Sequence, residues 1–155
     1  MAKVPSMDTN IPGVWYGLHY YSDEGTSNVQ TLSNTVETCF DTTNYRHTFT
    51  LSVPMTVRVQ ANLLFMAYDA DGWRQPTGFI NNGTGAASLV GNVASCFTYH
   101  YQPASGRIWV ATMPLFGQVD LAAGAQTIEI RVRTYDASTA YTKFTFGSWA
   151  IDVKR

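Results

Sequence analysis

The sequence predicts an all-β fold, an antiparallel two-sheet sandwich. Apolar residues recur with a period of two and no window carries an apolar stripe at helical spacing. Turn-forming residues also break the chain at the short intervals that sandwiches need. Composition agrees with this reading. Aromatic residues make up 14% and charged residues only 14%, against roughly 25% charged in an ordinary soluble domain. Much of the exterior must therefore be uncharged, which suits a protein that hides part of its surface against other subunits.

Residues 1–12 read as an N-terminal arm, and 13–155 as a single domain. Gly13 to Tyr21 and Val29 to Phe40 each have room for a strand, with a polar loop over Ser22–Asn28 between them. Tyr45, His47, Phe49, Leu51 and Val53 alternate with Arg46, Thr48, Thr50 and Ser52, the pattern of a strand with one buried face. Pro54 interrupts it. Val57, Val59, Ala61, Leu63 and Phe65 then alternate with Arg58, Gln60 and Asn62 until Leu64 and Met66 make the outer face apolar too, as if both sides were covered there. Asp69-Ala-Asp-Gly72 is a turn signal, and the glycine-rich stretch Gly78–Asn92 reads as a long surface loop. Alternation resumes from Val93 to Tyr101, and a strand from Arg107 to Met113 follows Pro103-Ala-Ser-Gly106, so these two are expected to form a hairpin. Gly124 supplies a turn before Ile128, Ile130 and Val132, opposite Glu129, Arg131 and Arg133 on the outward face. Tyr141 to Val153 closes the chain, with a bulge or bend expected at Gly147. The segments sum to about eight strands, which favours a jelly-roll-like order over an open sheet.

The formal net charge is −1 and the basic residues are scattered, so no phosphate-tracking stripe exists and nucleic acid is not an expected partner. The first ten residues lack the apolar run of a secretion signal, and no stretch approaches the roughly eighteen apolar residues of a membrane span. Synthesis in a reducing cytoplasm makes Cys39 and Cys96 two buried thiols in the first instance, a disulfide between them being the less favoured alternative.

Chemistry-bearing patterns are sparse. His19, His47 and His100 lie in strand patterns beside aromatics, without the spacing of a zinc site, and His47 reads as a core histidine. Ser105 and Ser148 sit next to glycines but not in a nucleophile elbow. Glu129, between two isoleucines and beside Arg131, is expected to be solvated or in a cross-strand pair rather than a glycosidase acid. Asp69-Ala-Asp71-Gly72 resembles the start of a calcium loop, but Trp73 stands where the next oxygen ligand belongs and Ile80 where the bidentate glutamate belongs. Neither a metal nor a cofactor is expected.

Aromatics are the unusual feature. Neighbouring residues of a strand point to opposite faces, so Trp15-Tyr16 and Tyr20-Tyr21 cannot all enter one core. Outward rings serve either as anchors in protein interfaces or as platforms for sugar rings. The candidate contact residues are Asp69, Asp71, Trp73 and Arg74 in one segment and Tyr99, Tyr101 and Trp109 in another; Trp73, Tyr99, Tyr101 and Trp109 are the sugar-stacking candidates.

The stretch Val119-Asp-Leu-Ala-Ala-Gly-Ala-Gln-Thr-Ile-Glu-Ile-Arg-Val-Arg-Thr-Tyr135, followed by Gly147-Ser-Trp-Ala-Ile-Asp-Val153, resembles the C-terminal strands of jelly-roll virion proteins of tailed phages. Phe49-Thr-Leu-Ser-Val-Pro-Met-Thr-Val-Arg-Val59 is similar to their earlier core strands, so about half the chain is covered. The resemblance implies a non-enzymatic component of the virion, either a head-decoration protein or a tail-fibre or tail-tip protein. It further implies a homo-oligomer, a trimer above all, attached to capsid or tail proteins, with a host-surface glycan as a further candidate partner. The alternative drawn from the aromatics alone is a lectin-like carbohydrate-binding module, and a third is a small glycoside-processing enzyme with paired carboxylates.

Overall fold

The structure, a computed structural model, describes residues 12–22, 30–31, 39, 41–68, 72–74, 76–83, 92–97, 100–102, 108–134 and 142–155. Residues 1–11 of the expected arm lie outside that set. The described residues form strands β1 (Trp15–Ser22), β2 (Gln30–Thr31), β3 (Arg46–Leu51), β4 (Met55–Tyr68), β5 (Gly72–Arg74), β6 (Pro76–Asn82), β7 (Asn92–Phe97), β8 (His100–Gln102), β9 (Ile108–Leu121), β10 (Gly124–Thr134) and β11 (Thr142–Lys154). Among them no helix is long and apolar enough to cross a membrane.

Four antiparallel pairs nest one inside the next: β1 with β11, β3 with β10, β4 with β9, and β6 with β7. Pairing of β11 with β4 joins the first and third into one sheet, ordered β1-β11-β4-β9. Pairing of β10 with β6 joins the others into a second, ordered β3-β10-β6-β7. Nested pairs falling alternately in two facing sheets make a jelly roll, so the fold is the predicted antiparallel sandwich. Eight strands carry it; β2 adds to β11, and β5 and β8 form a small ribbon of their own.

Alternation decides which side chains fill the space between the sheets. Val57, Val59, Leu63 and Phe65 of β4, Trp149, Ile151 and Val153 of β11, and Ile128, Ile130 and Val132 of β10 are all buried in one cluster. Between β3 and β4, Leu51 ends one strand and Met55 starts the next across Pro54. Gly124 opens β10 at φ +118, a value that L residues other than glycine adopt only under strain.

Three expectations are corrected, and a fourth, the strand over Val29–Phe40, lies mostly outside the described residues. Gly78–Asn92 is not a loop throughout, because Pro76–Asn82 forms β6 and Asn92 opens β7. Residues 76–81 are buried on both faces, so the strand lacks the alternation by which strands are recognised. The hairpin expected between Val93–Tyr101 and Arg107–Met113 does not form, since β7 pairs β6, β8 pairs β5, and β9 pairs β4. The bulge expected at Gly147 falls instead between Phe144 and Phe146. Gly147 is needed for close approach: an added Cβ would stand 2.8 Å from the backbone oxygen of Asn62. Of the strand expected over Val29–Phe40, only Gln30–Thr31 is strand among the described residues, and Cys39 lies outside any strand.

Gly78 is the other position where a side chain is excluded, here by the core itself. A Cβ would sit 2.9 Å from Leu63 Cδ1 and 3.1 Å from both Leu115 Cδ1 and Met113 Sδ. These are flexible side-chain ends, so Gly78→Ala should fold but lose about 1–3 kcal/mol to overpacking. Urea unfolding followed by far-UV circular dichroism measures it, and a variant as stable as the parent would contradict this packing.

Candidate functional site

The outer face of the β1-β11-β4-β9 sheet is ordered by register into rows. Trp15, Lys154, Thr56 and Asp120 form one row, and Gly17, Asp152, Arg58 and Gln118 the next. This end is ionic. Arg58 donates to Asp152 Oδ2 from Nη2 at 2.7 Å and from Nε at 3.1 Å, and its guanidinium lies 4.4 Å above the Trp15 ring, which Lys154 also covers at 5.0 Å.

The next two rows of the same face carry no charged residue. Tyr20, Ala150, Gln60 and Phe116 form the third row and Ser22, Ser148, Asn62 and Pro114 the fourth. Tyr20 is 72% exposed, Phe116 61% and, further along β9, Val110 54%. A shallow groove of about 590 Å³ lies here, with Tyr20 at one side, Phe116 at the other, and Gln60, Asn62, Ala150 and Pro114 between. No carboxylate, imidazole or amine lines it. The groove therefore offers ring faces and amide hydrogen bonds, not proton transfer.

Two other clusters involve titratable groups. The outer face of the second sheet buries an ionic triad: Glu129, 1% exposed, takes the Arg46 guanidinium on Oε1 and Arg131 Nε on Oε2 at 2.7 Å. Arg131, 3% exposed, also donates from Nη2 to the Gly83 carbonyl at 3.0 Å. Sequence placed Glu129 and Arg131 on an outward face; the cross-strand pair exists, with Arg46, but the carboxylate and Arg131 are buried. Asp41 folds the turn before β3, accepting from the Thr43 and Asn44 amides at 3.0 and 3.2 Å, while Ile130 N donates to the Tyr45 carbonyl at 2.9 Å. The Cys39 thiol beside them is free, and burial, then the Glu129 carboxylate, push it up to about 11.

The second cluster is the imidazole pair His19 on β1 and His47 on β3, stacked with centroids 4.1 Å apart and planes at 20°. His19 also tilts against Trp149 at 4.6 Å, and His47 stacks on Phe49 at 5.9 Å. Burial, then the neighbouring His47, lowers His19 to about 4; burial lowers His47 as well.

Of the contact residues expected from sequence, Asp69, Asp71 and Tyr99 lie outside the described residues. The backbone of Trp73 pairs with that of Tyr101, and Arg74 with His100, so the β5–β8 ribbon brings two of the stacking candidates opposite each other. Trp109 stands apart, on β9 opposite Ala67. The side chains of Trp73, Arg74, Tyr101 and Trp109 are outside the described set, as is that of Cys96. Sequence foresaw that one ring of Tyr20-Tyr21 must face outward. It missed Phe116, because the strand expected from Arg107 to Met113 in fact runs on as β9 to Leu121. The uninterrupted alternation of Met113, Leu115, Gly117, Val119 and Leu121 was the available signal.

No family model matches the sequence, and no curated protein matches it. Among solved structures, a CocE/NonD family hydrolase from Staphylococcus aureus is similar at 11% identity and a TM-score of 0.43, over 88% of this chain and 36% of the hydrolase. The chain thus spans about a third of that protein's length, and so loose a likeness says nothing of activity.

Proposed function

We propose that the protein is a non-enzymatic structural component of a phage virion, a capsid-decoration or tail protein that assembles with itself, a trimer being favoured, and attaches to a virion surface or receptor. The observation that carries this reading is the uncharged groove on the outer face of the β1-β11-β4-β9 sheet. Tyr20 and Phe116 are large and exposed and flank a groove lined by no charged residue, and exposed apolar patches of this kind mark interaction surfaces. Jelly-roll architecture, shared with the virion proteins its strands resemble, is compatible with the reading without requiring it.

Size-exclusion chromatography with light scattering tests the assembly. The wild type should run as a multiple of the 17.1 kDa chain, and Phe116→Asp should weaken association by roughly 30- to 1000-fold, the effect of losing an interface anchor worth about 2–4 kcal/mol. A wild type that stays monomeric at micromolar concentration and has no affinity for virions would defeat the reading.

A second reading, a carbohydrate-binding module, is favoured by one feature: the two rings of the groove flank the amides of Gln60 and Asn62, an arrangement suited to a neutral sugar. Glycan-array binding lost in Phe116→Asp, or in Trp73→Ala, with the monomer intact, would promote it over the first.

A further inference from the structure

β1 and β3 are the end strands of different sheets, on the same side of the sandwich. Among the described residues no backbone ladder links them, and the stack of His19 on His47 is one side-chain bridge between them. Behind the stack stands Trp149, fully buried, and edge-on beside it Tyr21 meets Tyr45 at 5.4 Å. His19 Nε2 is buried without a hydrogen-bond partner. We propose that this pair is an acid-released clasp: neutral, the two rings close the seam between β1 and β3, and when both take up protons they drive β1 away from the second sheet.

The argument is electrostatic. Two imidazolium ions at 4.1 Å repel, and among the described residues no carboxylate on the inner face offsets them. The titratable side chains turned towards the seam are phenols, Tyr16 and Tyr21 from β1 and Tyr45 before β3; β11 contributes Trp149 and Ile151, and β10 contributes Ile128. Among the described residues, the carboxylates of Glu129 and Asp152 are each one residue along the strand from a seam neighbour and so on the opposite face of its sheet, where each already holds an arginine. The sign follows from the lowered basicity. The closed state binds protons more weakly than the open one, so the clasp is at full strength above pH 6.5 and weakens as pH falls towards about 4. Across that window each pH unit multiplies the opening constant by up to about tenfold through His19, and the lowered basicity of His47 acts in the same sense.

Hydrogen exchange read by mass spectrometry on the full chain tests this directly. After correction for intrinsic exchange rates, protection of β1 amides should fall more than tenfold from pH 7 to pH 5 while β4 amides keep theirs. The double variant His19→Phe with His47→Phe, which keeps stacked rings and removes the basic nitrogens, should show no such fall. Unchanged β1 protection in the wild type, or parallel loss in β1 and β4, would overturn the clasp. Proton NMR of the wild-type imidazoles gives a check that needs no variant: titration of both rings near 6.5 would overturn it equally.

Discussion

Glu129→Ala should cost about 3–5 kcal/mol of folding stability, among the largest losses available to a single substitution in this chain. The carboxylate is 1% exposed and its partner Arg131 3% exposed, so truncation leaves a guanidinium buried with only the Gly83 carbonyl to receive it. Arg46 is about a third exposed and can turn to water, which assigns most of the penalty to Arg131. Glu129→Gln should fall between, since an amide oxygen accepts one guanidinium donor but brings no charge. A double replacement, Glu129→Leu with Arg131→Met, should be less destabilising than Glu129→Ala alone, because it removes the desolvated ions together. Urea midpoints by far-UV circular dichroism rank the variants. A Glu129→Ala protein within 1 kcal/mol of the parent would mean that the triad is not dry.

The same triad shows where sequence reading stops. Period-two alternation identified β3, β4 and β10 because each has one face in the core, and the jelly-roll order followed from strand count and turn spacing. Alternation reports only that two faces differ, however. On β10 it separated Ile128, Ile130 and Val132 from Glu129, Arg131 and Arg133, and the charged set was assigned to solvent. The carboxylate and Arg131 are buried instead. β6 vanished for the complementary reason, being buried on both faces. The outer-face groove is a property of register: Tyr20, Gln60 and Phe116 stand far apart in the chain and become neighbours only when β1, β11, β4 and β9 align. Composition could announce that some rings must face outward, but not which four strands would gather them.

Trp149→Ala should be as damaging as loss of Glu129, at about 3–5 kcal/mol, and its graded variants separate two causes. The indole fills the centre of the core cluster on β11, and its Nε1 donates to the Asn44 carbonyl at 2.8 Å, tying the Asp41–Tyr45 turn to the sheet. Trp149→Phe retains most of the apolar volume but leaves that carbonyl without its donor, so it should cost about 1–3 kcal/mol. The ring also backs His19, so Trp149→Ala removes the wall behind the imidazole stack and Trp149→Phe thins it. If β1 is held chiefly by its ladder with β11, amide protection across Trp15–Ser22 should fall no faster than in β4 when Trp149 becomes Phe. If the stack closes the seam, β1 protection should fall selectively, even at pH 7 where both rings are neutral. Equal losses in the two strands would assign Trp149 to the core alone, and a selective loss in β1 would assign it to the seam as well.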